Sequence, residues 1–189
     1  MKRNTLLVAI ACALGTIAAT PAFASNGNIN FEGEVTTTTC LINGQNPNLG
    51  DVDVDVDLKQ VEVSSLNFAG AVANATPFKI TLGGNGDPDC TNGKMAKVHF
   101  EPNSPAIDSN TGWLKNIDAS ATPASNVEIQ ILNADDNQVI DLRDDSSVPS
   151  KMIVDNTAVY NYFGQYVAVN GPATAGKVAS TVKYTIVYQ

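Results

Sequence analysis

One histidine, His99, and one tryptophan, Trp113, are all that 189 residues hold of those types, and cysteines number only three. There is no second histidine, no nucleophile-elbow glycine pattern and no phosphate-binding loop, so enzyme chemistry has nothing concrete to rest on. Two cysteines with one histidine are too few ligands for a metal site. Positive charge is scarce: 11 Lys and Arg face 19 Asp and Glu, for a net charge of −8. That balance argues against nucleic acid or an anionic membrane as partner, and otherwise serves mainly solubility. No apolar run reaches the roughly 20 residues of a membrane helix. No stretch shows a convincing helical period, and there is neither an internal repeat nor a low-complexity tail.

The N-terminus carries Lys2 and Arg3, an apolar run from Leu6 to about Ala19, and small residues Ala22 and Ala24 around Phe23. This is the pattern of a secretory signal peptide, residues 1–24, cut between Ala24 and Ser25. Cleavage leaves 165 residues, the size of one domain, with a net charge of −10. It also removes Cys12, whose surroundings match a lipoprotein box poorly. The remaining pair, Cys40 and Cys90, in an exported chain reads as a disulfide.

What the chain has in abundance is short alternating runs separated by turn residues. Phe78 to Leu82, Lys97 to Phe100, Trp113-Leu114, Val127 to Leu132, Val139 to Leu142, Lys151 to Val154 and Val159 to Val169 read as strands of an all-β sandwich. Both mature ends alternate too. At the C-terminus Val178, Val182, Tyr184, Ile186 and Tyr188 share one parity, and near the N-terminus Ile29, Phe31, Gly33 and Val35 share another. The second of these has no obvious place in its own domain.

Gly176, fourteenth from the end, and the penultimate Tyr188, set on an alternating strand, resemble the C-terminal signature of pilins assembled by the chaperone-usher pathway. Further blocks resemble the type 1 fimbrial major-subunit family in the family's order. They are Cys40 and Cys90, Val56 to Val61 with Ser65-Leu66, Phe78 to Leu82, Asn126 to Leu132, and Tyr162 to Tyr166 leading to Gly171-Pro172. The resemblance implies an incomplete immunoglobulin-like sandwich lacking its last strand, residues 39–189, completed by a donor strand from a neighbouring subunit. Residues 25–38 would be that donor arm, with Ile29, Phe31 and Val35 filling pockets and Gly33 allowing close backbone approach.

The same resemblance implies a periplasmic chaperone that covers the groove beside Val182, Tyr184, Ile186 and Tyr188 and anchors the carboxylate of Gln189. It further implies an outer-membrane usher that exchanges the chaperone for the next subunit, no cofactor, and a place on the cell surface. The expected role is a shaft-forming structural subunit supporting adhesion. A minor adaptor, a single-domain adhesin with its own host receptor, or an autonomous secreted β-sandwich are the alternatives.

Other signals have plainer readings. Asp51, Asp53, Asp55 and Asp57 imitate a calcium loop, but Val56 stands where that loop needs glycine. Their alternation with valine predicts an extended strand with a solvated acidic face. Asn74-Ala75-Thr76 matches a glycosylation sequon of a kind frequent by chance, His99 is expected to be structural, and Trp113 is expected in the core. The loops after Cys40 and between Leu82 and Cys90 are longer than the family's, and both lie near the disulfide.

Overall fold

The computed structural model describes residues 39–144 and 146–189, within one unit, Thr36–Gln189. The segments expected to be signal peptide and donor arm, including Ala22, Ala24, Ser25, Ile29, Phe31, Gly33 and Val35, lie outside the described residues. Seven strands follow in order: β1 (Val72–Gly83), β2 (Met95–Phe100), β3 (Leu114–Lys115), β4 (Val127–Asn133), β5 (Ser150–Met152), β6 (Thr157–Ala168) and β7 (Tyr184–Tyr188). Two short 3-10 turns, Pro47–Leu49 and Val63–Leu66, precede them. The strands form two antiparallel sheets, β1-β6-β4-β3 and β5-β2-β7. Among the described residues no helix is long and apolar enough to cross a membrane.

Period-two burial builds the core. On β2, Ala96, Val98 and Phe100 face inward, and on β6, Ala158, Tyr160 and Tyr162 do so. Ile80 and Leu82 of β1 and Ile131 of β4 join them in the main cluster. Tyr160 ties the sheets together, its hydroxyl donating to the Ala96 carbonyl of the opposite sheet. Burial pushes that phenol up to about 12. A smaller cluster of Leu66, Ala71, Val127, Ala168 and Ala173 closes one end.

We call that end distal. The proximal end holds the Cys40–Cys90 disulfide, with Cα atoms 4.4 Å apart and both cysteines buried. The long loop before Cys90 is not loose: buried Asp87 accepts from the Leu41 amide at 2.9 Å and the Asp89 amide at 3.1 Å, fastening the loop to the chain just after Cys40.

Three expectations are corrected. Val139 to Leu142 is no regular strand; Val139 makes a single bridge to Leu132, while Ile140 and Leu142 are core residues. Trp113 is half-buried and its neighbour Leu114 takes the core position, so parity at this strand is the reverse of that expected. The C-terminal strand begins at Tyr184 and not near Val178. His99 sits on β2 opposite Thr185, a position on a strand as expected.

Candidate functional site

β7 pairs with β2 along one edge, Phe100 with Tyr184 through Ala96 with Tyr188. Its other edge has no strand among the described residues. Across from it runs the segment 51–61. Asp51, Asp53, Asp55 and Asp57 are exposed, Val52 and Leu58 buried, Val54 and Val56 half-buried. The segment is thus extended with an outward acidic face, and the aspartates do not converge. Among the described residues no group of three or more acidic, histidine or cysteine side chains is placed to hold a metal. None of the segment's backbone groups takes a backbone partner among the described residues.

The two unpaired edges face each other. At one end the Tyr184 hydroxyl donates to the Val52 carbonyl at 2.6 Å. Burial, and secondarily the charge of Asp53, raises that phenol above its ordinary value. At the other end Val56 to Gln60 face Val178 to Ser180 across a cleft of about 580 Å³, floored by Ile129 and Tyr166. A second cleft of about 520 Å³ continues to the distal rim, sharing Lys59, Gln60, Tyr166 and Val178. Val54, Ile129, Val182, Tyr184, Ile186 and Tyr188 pack half-buried against the main core. Ladder groups without strand partners flanking half-buried apolar side chains are what a sheet lacking one strand presents.

Gly164 on β6 makes room for this segment. A Cβ there would lie 3.2 Å from Leu58 Cδ2 and 3.7 Å from Val56 Cγ1. The distal end of the segment is clamped by side chains. Asn74, at φ +54° in the β1 register shift between Ala73 and Thr76, donates its amide to the Leu58 and Gln60 carbonyls at 3.0 and 3.1 Å. The Tyr166 hydroxyl donates to the Lys59 carbonyl at 3.0 Å. Lys59 turns at φ +59°, its amide bonded to Asp57 Oδ1 at 3.0 Å and its ammonium to Oδ2 at 2.5 Å, which holds the Asp57 carboxyl below its usual range.

The expected C-terminal residues divide into three groups. Val182, Tyr184, Ile186 and Tyr188 keep one parity beside the open edge, the last three alternating with exposed Thr185 and Val187. Gln189 pairs through its backbone with Met95, donating at 2.8 Å and accepting at 3.2 Å. Gly176 lies off the strand, at the distal end. A Cβ there would fall 2.4 Å from the Ala124 amide nitrogen and 2.6 Å from the Pro123 carbonyl carbon, so this glycine permits two backbones to touch. Tyr188 has a role its position alone does not reveal. Its hydroxyl shares a 2.9 Å hydrogen bond with Thr39 Oγ1 and accepts from the Cys40 amide at 3.2 Å, tying the last strand to the first described residues. Asn74, Tyr166 and Thr39 are not legible as site residues, because each acts through a contact distant in sequence, the first two with backbone carbonyls of segment 51–61 and Thr39 with the Tyr188 hydroxyl.

The Fimbrial protein family matches residues 29–189. The chain is 40% identical over 182 residues to the F17 fimbrial protein of Escherichia coli, covering 93% of this chain and 96% of that one. It is likewise 40% identical over 181 residues to the major fimbrial subunit SMF-1 of Stenotrophomonas maltophilia, covering 91% and 99%. The fold is similar to that of a solved chaperone-usher pilus, with a TM-score of 0.55 at 22% identity over 90% of this chain and 99% of that one.

Proposed function

Because the chain belongs to the fimbrial protein family, as a structural subunit of a fimbria at the cell surface, we propose that it forms the shaft by donating residues 25–38 into the open edge of a neighbouring copy. Cleavage between Ala24 and Ser25 frees the arm. Ile29, Phe31 and Val35 enter the apolar positions beside Val54, Tyr184 and Ile186, and Gly33 passes where the backbones are closest. The observation that carries this reading is the paired vacancy: β7 and segment 51–61 face each other, each without a backbone partner on the facing side among the described residues.

Each buried apolar side chain of the arm contributes roughly 1.5 to 3 kcal/mol, and main-chain bonds add about 1 kcal/mol each. Ordering the arm opposes this with about 1 kcal/mol or more per residue. Durability then comes from slow unfolding of the completed sandwich. Before assembly the same edge is an aggregation hazard. A periplasmic chaperone covers it, lending a strand beside Tyr184 to Tyr188 and binding the Gln189 carboxylate, and an outer-membrane usher exchanges that strand for the next arm. The reading requires no catalysis, cofactor or metal.

The test is thermal unfolding of the chaperone-released domain lacking residues 25–38, with and without a synthetic peptide of those residues. A large rise in Tm, lost when the peptide carries Ile29→Asp and Phe31→Asp, is the expected result. A truncated domain already stable and indifferent to the peptide overturns the reading.

A further inference from the structure

Resting on the strand-donation reading, we infer that consecutive subunits touch through a second contact: Leu49 of the donor against the distal rim of the acceptor formed by Val63 and Phe68. Leu49 is 88% exposed at the end of a 3-10 turn that is held rigidly. Asn46 caps the turn through the Asn48 amide at 2.9 Å, the Leu49 amide bonds the Asn46 carbonyl at 3.0 Å, and the Asn43 amide bonds the Thr81 carbonyl at 2.8 Å. At that exposure its side chain packs little against the described residues of its own domain. At the opposite end Phe68 is 63% and Val63 41% exposed, and Val63 lines the mouth of the 520 Å³ cleft. Single exposed apolar residues are ordinary; the geometry of the polymer makes this set significant.

The arm leaves the domain at Thr39, beside Tyr188 and the disulfide, which is the proximal end. A chain that extends must therefore receive the neighbour's arm from the distal end, with the arm antiparallel to β7. Residues 25–38 reach about 46 Å when extended, at roughly 3.3 Å each. The sandwich is about 40 Å long at the same rise, taken from the twelve residues of β1 running from the distal Val72 to the proximal Gly83. An arm that fills the groove has only a few ångströms left over. The donor's proximal loops, with Leu49 the most exposed of their apolar side chains, must then abut the acceptor's distal rim. The contact is heterologous, one end of a copy on the opposite end of the next, and so repeats at every junction along the fibre.

Intact fimbriae assembled from a chain carrying both Leu49→Cys and Phe68→Cys, treated with a short bifunctional thiol reagent, should yield a covalent ladder that survives boiling in detergent, while each single variant stays monomeric. Leu49→Asp should speed thermal depolymerisation on the order of tenfold, the factor about 1.4 kcal/mol represents, and Phe68→Lys in the same chain should restore it in part. In every variant the Tm shift given by the 25–38 peptide should be unchanged. A normal peptide shift without ladder or coupling overturns the junction contact alone. Loss of the peptide shift in the unsubstituted chain overturns strand donation, and the junction with it.

Discussion

Asn74 shows how one side chain can set the width of a binding edge. A sequon reading treats it as a surface acceptor, yet its amide spans two carbonyls of segment 51–61 from a left-handed bulge that few other residues tolerate. Asn74→Ala removes both bonds and strains the φ, and should lower stability in urea by about 1 to 3 kcal/mol. Asn74→Gly keeps the backbone while losing the clamp, and should chiefly weaken binding of the 25–38 peptide. Damage from Asn74→Ala alone, with Asn74→Gly matching the unsubstituted chain in both measurements, would show that the bulge matters and the clamp does not. Nothing in the local sequence distinguishes this asparagine from a sequon, because its partners lie 14 and 16 residues away and are backbone atoms.

Alternation told which way side chains face and not whether a strand has a neighbour. Phe78 to Leu82, Lys97 to Phe100, Val127 to Leu132 and Val159 to Val169 were legible because a sheet face buried on the core imposes period two. Val139 to Leu142 carries the same signal but supplies only a bridge and two core side chains. Segment 51–61 carries it most cleanly and joins neither sheet. The parity of the C-terminal strand was readable, while its start at Tyr184 was not, since Val178 to Lys183 alternate as well without pairing as a strand. An unpaired edge has a kinetic signature. In the emptied subunit, amides of Val52 to Leu58 should exchange with solvent fast, and the 25–38 peptide should slow those facing the groove at least about tenfold. Protection already present without the peptide would mean that the edge is satisfied within the subunit.

For the whole domain, the disulfide joins residues 50 apart and holds the start of the chain to the loop after β1. Replacing Cys40 and Cys90 together by serine should cost about 3 to 4 kcal/mol in the loop-entropy account, measured by urea unfolding of the peptide-filled subunit. A cost near zero would assign the proximal end to Asp87 and its amide bonds instead. The bond from the residue-40 amide to Tyr188 is a backbone bond that serine keeps, so any loss of it would report movement of the backbone once the bridge is gone.

That meeting of Tyr188 with Thr39 and Cys40 has a mechanical meaning. An arm rooted at the proximal end and lodged along β7 of the next copy places the axis of the polymer nearly along the strands. Pulling on such a fibre slides strand against strand, so the hydrogen bonds bear load together and none is peeled first. In such a fibre the force would pass from the lodged arm into β7 and leave through its last tyrosine, which meets Thr39 and Cys40 beside the covalent bridge. On the strand-donation reading, a bacterium held in flow would hang on a line whose every link passes tension through the corner braced by the disulfide.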